Sequence, residues 1–209
     1  QYSAVDGSAQ PWHQVHYGML SMSGAGLLCL EATHVEREGR ITQGCLGLYS
    51  EDNEQALKPV IDWVRAWMPH VRIGIQLAHA GRKASAQRPW KGGGPLGQAD
   101  APDLPWSTFS ASALPYDPST GWHTPVPLDA TGLRRVKQAF VSAVERSARL
   151  GIDLLDPTKL APEEIAPGPN VTKPRAPGAP GATKPDSPRN RDMSFLHRLP
   201  SRRGGRRPG

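Results

Sequence analysis

Cysteine is scarce: Cys29 and Cys45 are the only two in 209 residues, and their separation matches no metal or redox spacing. A disulfide-stapled scaffold is thereby excluded, and a reducing, cytoplasmic setting is expected. Long apolar runs are also missing. No stretch approaches the roughly eighteen apolar residues of a membrane helix, so no membrane partner is expected. The chain opens on Gln1-Tyr2-Ser3, with neither the basic nor the apolar region of a secretory leader, and without an initiating Met. It is expected to start inside a longer gene product or to have lost its beginning. His13 and His16 lie three apart, but no third His, Cys or carboxylate falls at a matching spacing, so no metal site is expected.

Hydrophobic residues make up 37% of the chain, a low share for a globular protein, and the shortfall is local. Residues 157–209 hold 11 of the 22 prolines and 11 of the 25 Lys and Arg, against 4 of the 19 Asp and Glu. The first 156 residues carry 14 basic and 15 acidic side chains, so the basic balance belongs to the tail. A Pro, Gly, Ala, Lys and Arg composition cannot bury enough apolar surface to offset its ordering entropy, and predicts disorder over 157–209, with at most a brief turn at Met193 to Leu199. Two domains follow: 1–156, and the tail.

Within 1–156, helical and strand patterns alternate. Pro11 opens a helix with Trp12, Val15, Met19 and Met22 on one face, and Gly24-Ala25-Gly26 ends it. Leu27 to Ala32 reads as a buried strand with Glu31 near its carboxyl end. Ser50 is a candidate N-cap, followed by acidic Glu51, Asp52 and Glu54, which the helix dipole favours. Leu57, Val60, Ile61, Val64 and Met68 then recur at helical spacing, and Val71 to Ala78 forms the next strand. A third helix starts at Asp129, with Leu133, Val136, Phe140, Val141 and Val144 on its apolar face, and stops at Gly151. Ile152 to Leu155 begins another strand, which Pro157 is expected to break. This alternation predicts a parallel α/β sheet.

The stretch most suggestive of chemistry is Ile73-Gly74-Ile75-Gln76-Leu77-Ala78-His79-Ala80-Gly81-Arg82-Lys83. A buried strand leads into a turn carrying an amide, an imidazole and two cations, which is how a barrel of alternating strands and helices builds a ligand site at strand carboxyl ends. From the residues alone, Gln76 is either a ligand contact or a strand-end amide bonded to backbone. Arg82 and Lys83 either attract an anion or form a solvated turn.

This stretch resembles the old yellow enzyme family of FMN-dependent ene-reductases, as do Gln1-Tyr2-Ser3, Gly24 to Thr33 and Gly39-Arg40-Ile41-Thr42. The resemblance covers roughly residues 1–156. It implies an α/β fold of the TIM (β/α)8 barrel family, here an incomplete barrel fragment with a disordered C-terminal tail. It further implies an NAD(P)H:flavin oxidoreductase using FMN, with NAD(P)H as reductant and a small-molecule substrate such as an activated alkene, enone or nitro compound. By the same resemblance, Gln76 matches the glutamine that bonds the flavin pyrimidine edge, Ala32 the alanine lying against the flavin, and Tyr2 a tyrosine facing the substrate oxygen. The family's His-x-x-His pair and its proton-donating Tyr have no counterpart, so no catalytic residue is assigned.

Where the family continues into His-x-x-His-Gly-Tyr, this chain has Asp156-Pro157-Thr158-Lys159. A shifted reading frame is expected, with the missing segment encoded downstream in another frame. The competing function is an inactive truncated paralogue or a non-catalytic protein whose basic tail binds acidic partners. Arg202-Arg203-Gly204-Gly205-Arg206-Arg207 lacks aromatic interleaving, so nucleic acid is not an expected partner. An open fragment would expose sheet edges, so a homo-oligomer is a further expectation. The proline-rich stretch from Ala84 to Leu128 reads as a long excursion, in which Trp90, Trp106 and Trp122 either wall a substrate pocket or form a small core of their own.

Overall fold

A computed structural model describes residues 1–157. Expectations about the tail, including disorder, the turn at Met193 to Leu199 and the basic terminus, lie outside the described residues. Helix α1 (Pro11–Ser21) leads to strand β1 (Leu27–His34), helix α2 (Glu51–Trp67) and strand β2 (Arg72–Ala78). The excursion that follows contains four single-turn 3-10 helices and a small parallel pair, β3 (Phe109–Ser110) and β4 (Val126–Pro127). Helix α3 (Ala130–Arg149) then delivers strand β5 (Leu154–Pro157). The main sheet has the order β1-β2-β5 and both of its pairings are parallel.

The helix ends follow their capping chemistry. Ser50 Oγ accepts from the Asn53 amide at 3.1 Å, and Asp129 Oδ1 accepts from the Gly132 amide at 2.7 Å, each satisfying an amide that has no intrahelical partner. Gly151 closes α3 at φ +73°, a left-handed conformation that glycine adopts without strain.

The core lies between the sheet and its helices. Leu28 and Leu30 pair in register with Ile73 and Ile75, and with Leu77 they pack against Leu57, Val60, Ile61 and Val64 of α2. Burial of each such side chain stabilises the fold by about 1.5–3 kcal/mol. On the opposite sheet face Leu27, Cys29 and Leu154 are exposed.

Two helices turn differently from expectation. The expected apolar face of α1 is its exposed one: Trp12, Val15, Met19 and Met22 face outward, while His13, Tyr17, Gly18 and Ser21 are buried. The physical reason is that His13 and Tyr17 find polar partners inside, so they outcompete unpartnered apolar side chains for the interior. In α3 the expected face holds in part: Phe140 packs against the core and Val136 is half-buried, while Leu133, Val141 and Val144 are exposed and the fully buried positions are Ala143 and Ser147, where small residues allow close approach to the sheet. Strand β5 includes Pro157, which pairs with Leu77 and is the last of the described residues. A proline is tolerated where its missing N–H falls at a strand end.

Asp153 docks β5 onto β2. Its carboxylate accepts from the Ile73 amide at 2.8 Å, from Arg65 and from Arg72, while its own amide donates to the Ile73 carbonyl at 2.8 Å. These bonds hold its carboxyl at about 2, well below the ordinary 3.8, with the Ile73 amide the largest cause and Arg65 next.

Candidate functional site

Strand β1 carries a bulge. Leu30 pairs with Ile75 and Ala32 pairs with Gln76, leaving Glu31 without a partner on β2. In unbroken alternation Ala32 would follow Leu28 and Leu30 onto the helix-facing side. The extra residue reverses the phase, so Ala32 shares the face of Gln76 while Thr33 joins Leu77 in the interior. Asp156 of β5 pairs with Gln76 from the other side, and Gln76 Nε2 donates to Asp156 Oδ2 at 3.4 Å. A row Ala32–Gln76–Asp156 therefore crosses the sheet near its carboxyl end. Gln76 and Ala32 are each half-buried.

Of the expected site residues, Ala32 and Gln76 are register partners, and Tyr2 lies in the N-terminal segment before α1. Tyr2 adopts φ +60°, its carbonyl abuts Gly44, and its ring meets Trp90 edge-on at 5.8 Å. A Cβ on Gly44 would lie 2.2 Å from the Tyr2 oxygen, so glycine is required there. Burial, reinforced by Cys45 and Glu31, raises the Tyr2 hydroxyl above its ordinary value and keeps it a donor at neutral pH. Among the described residues no hydrogen bond joins Tyr2 to Ala32 or Gln76.

Beyond the strand ends lies a second cluster that sequence patterning does not reveal. Gly81 donates its amide to His79 Nδ1 at 3.1 Å, which leaves Nε2 to carry the proton donated to Glu36 Oε2, also at 3.1 Å. Arg135 Nε reaches Glu36 Oε1 at 3.0 Å, and the Arg135 guanidinium lies over the Phe109 ring at 4.6 Å. Burial pushes the Glu36 carboxyl up, but the His79 hydrogen bond and Arg135 outweigh it and the net displacement is downward. Gly39 makes room for the ring, since a Cβ there would lie 2.6 Å from His79 Cδ2. The cluster ties the loop after β1, the turn after β2, the excursion and α3 to one another.

Of the two cations of the turn, Arg82 is half-buried and Lys83 is exposed. Arg82 donates to Ser110 Oγ at 3.3 Å and Ser112 Oγ at 3.2 Å, and Lys83 lies 5.4 Å from the centre of the Tyr116 ring. The three tryptophans are dispersed. Trp90 meets Tyr2, Trp106 donates to the Glu38 carbonyl at 2.9 Å and lies under Arg40, and Trp122 packs on Tyr116. Among the described residues no aromatic contact joins one of the three to another.

Parallel strands joined through helices, with polar side chains collected at their carboxyl ends, define a segment of a (β/α) barrel and its ligand-facing rim. The comparisons agree. Residues 2–156 match the family model described as NADH:flavin oxidoreductase / NADH oxidase family, and the chain belongs to that family. An NADH:flavin oxidoreductase of Gibberella zeae is 34% identical over 158 residues, covering 75% of this chain and 37% of that protein. An NADPH dehydrogenase of Bacillus velezensis is 31% identical over 151 residues, covering 72% of this chain and 38% of the relative. Among solved structures, morphinone reductase superposes with a TM-score of 0.56 at 24% identity, over 74% of this chain and 40% of that one. Old yellow enzyme from Pichia sp. AKU4542 gives 0.58 at 19%, over 74% and 39%. Those two likenesses carry the fold, that of the old yellow enzyme barrels. The chain spans about two fifths of the length of the relatives it matches.

Local sequence patterns put Ala32 and Gln76 toward strand ends, with Glu31 beside Ala32 and no role for it. Tyr17, Glu36 and Arg135 went unassigned. Tyr17 lies off the apolar stripe of α1, and Arg135 reaches Glu36 from 99 residues away, a contact no local pattern encodes.

Proposed function

We propose that residues 1–156 form the flavin-side part of an FMN-dependent NAD(P)H oxidoreductase acting in the cytoplasm on a small electron-poor substrate, an activated alkene, enone or nitro compound. Residues 157–209, set apart by composition, are a separate basic segment on this reading. The observation that carries it is the pairing of Ala32 with Gln76. A small side chain and a carboxamide stand side by side on one face at a strand end, which suits a planar heterocycle: alanine leaves room for a ring, and the amide can both donate and accept along its edge.

When bound, FMN supplies hydride transfer between NAD(P)H and the substrate. The chain's own residues bind and orient. Gln76 exchanges a long 3.4 Å contact with Asp156 for bonds to the ligand edge, at little cost because Asp156 is exposed. Ala32 sets the distance of approach. Tyr2 offers a protonated hydroxyl to a substrate carbonyl or nitro oxygen, where a fixed donor stabilises developing negative charge.

Titration of the purified chain with FMN, followed by quenching of flavin fluorescence, tests this. Removing one hydrogen-bonding partner of a buried polar group costs about 1–3 kcal/mol, so Gln76→Ala is expected to weaken FMN affinity by roughly 5- to 150-fold. Equal affinity in wild type and variant would remove Gln76 from the site.

A further inference from the structure

The bulge at Glu31 decides which side of the sheet Ala32 faces, and a bulge leaves its extra backbone amide outside the ladder. A buried amide without a partner is costly, so something must receive it. Here the partner comes from α1. The Glu31 amide donates to the Tyr17 hydroxyl oxygen at 3.2 Å, and that hydroxyl donates in turn to Glu31 Oε1 at 3.0 Å. The two bonds form a closed exchange between one side chain and one residue of the strand.

The surroundings are built around that contact. Tyr17 is only 1% exposed. The Gln10 amide donates to His13 Nδ1 at 2.9 Å, leaving the proton on Nε2, which lies 3.6 Å from Glu31 Oε1. Gly18 lets α1 approach α2 closely: a Cβ there would lie 3.1 Å from the Trp63 ring. A helix whose apolar stripe points outward thus directs its polar residues at a single position of β1.

We propose that Tyr17 is a positioning residue for the flavin side of the site: by receiving the amide that the Glu31 bulge removes from the ladder, it fixes Ala32 on the face of Gln76. Without the hydroxyl, a regular ladder becomes competitive, in which Glu31 opposes Gln76 and Ala32 turns toward the helices. The placement of Ala32 stands on geometry alone. Its effect on flavin binding rests on the proposed function.

The test uses the full chain in four forms: wild type, Tyr17→Phe, Glu31→Gln, and Val64→Ala as a core variant remote from the bulge. Two readouts need no flavin: hydrogen exchange of the Glu31 amide, and the nuclear Overhauser contact between the Ala32 methyl and the Gln76 side-chain amide. Wild type and Val64→Ala are expected to show slow exchange and a clear contact. Glu31→Gln keeps an oxygen that accepts from Tyr17, so it should behave likewise. Tyr17→Phe is expected to exchange roughly tenfold faster at residue 31 and to lose the contact. A third readout, FMN affinity, should fall roughly tenfold in Tyr17→Phe and stay unchanged in Val64→Ala.

An unchanged contact and unchanged exchange in Tyr17→Phe would overturn the inference, as would equal losses in Val64→Ala. Should Tyr17→Phe fail to fold, exchange at Glu31 in the wild type decides: slow exchange supports the assignment and fast exchange overturns it. If none of the four proteins binds FMN, the proposed function fails while the first two readouts still decide the role of Tyr17.

Discussion

Ala32 and Gln76 are direct register partners on neighbouring parallel strands, although they lie 44 positions apart in the chain and alternation from Leu28 would have put Ala32 on the opposite face. The bulge at Glu31 brings them together. The proposed site thus depends on sheet register as much as on residue identity, and its expected sensitivities follow from the groups that hold that register and the turn beyond it.

Gly39 is expected to tolerate no side chain. Its missing Cβ leaves the space in which the His79 ring reaches Glu36, and an added methyl would lie 2.6 Å from that ring. Overpacking of this kind costs about 1–3 kcal/mol. Chemical denaturation of Gly39→Ala should show a loss in that range, and a histidine nitrogen spectrum should show that His79 Nε2 has lost its carboxylate partner.

His34 predicts a pH dependence of stability. Burial is the main cause that takes its imidazole from the ordinary 6.5 down to about 4, so the folded state holds it neutral where the unfolded chain protonates it. The stabilising contribution is complete above about 6.5 and is lost as pH falls toward 4, at about 1.4 kcal/mol per pH unit. Denaturation midpoints measured through that window should decline, and His34→Gln should flatten the decline.

Asp153 acts in a more acidic window. Its folded value is depressed to about 2 from 3.8, so its contribution is present above 3.8 and lost as pH falls toward 2. At neutral pH, Asp153→Ala removes the acceptor of the Ile73 amide and of two arginines, and a charge-assisted hydrogen bond contributes about 1.5–3 kcal/mol. Denaturant unfolding should show at least that loss, together with weakened protection of the Ile73 amide.

Helix α1 offers a test of which face is buried. Val15→Lys should change stability by no more than about 0.5 kcal/mol, since Val15 is 72% exposed. Tyr17→Phe should cost about 1 kcal/mol or more through the lost hydroxyl contact with Glu31. Unfolding curves of the two variants compare them directly.

Much of the fold was legible in the sequence because local rules acted there without competition. Ser50 and Asp129 cap α2 and α3 where their side chains predict, Ser50 with acidic neighbours in the first turn, and β2 runs from Arg72 to Ala78 against an expected Val71 to Ala78. Helix α1 was legible as a helix but not in orientation, because hydrophobic periodicity ranks Val15 and Met19 above His13 and Tyr17 and cannot see a hydrogen-bonding partner on a strand. The roles proposed for Gln76 and Ala32 rest on resemblance, while their register pairing is a finding of the fold. The bulge that aligns them, and the contact of Glu36 with His79 and Arg135, depend on tertiary juxtaposition. In the excursion the tryptophan contacts are likewise tertiary: Trp90 with Tyr2, Trp106 with Glu38 and Arg40, Trp122 with Tyr116.

The measurement that bears most directly on the proposed site is a titration of the chain with FMN, followed through the side-chain amide resonances of Gln76. Saturable movement of those resonances, with a midpoint matching the flavin affinity measured by fluorescence, is the expected result. Resonances that stay in place while FMN binds would put the flavin elsewhere and contradict the assignment of Ala32 and Gln76.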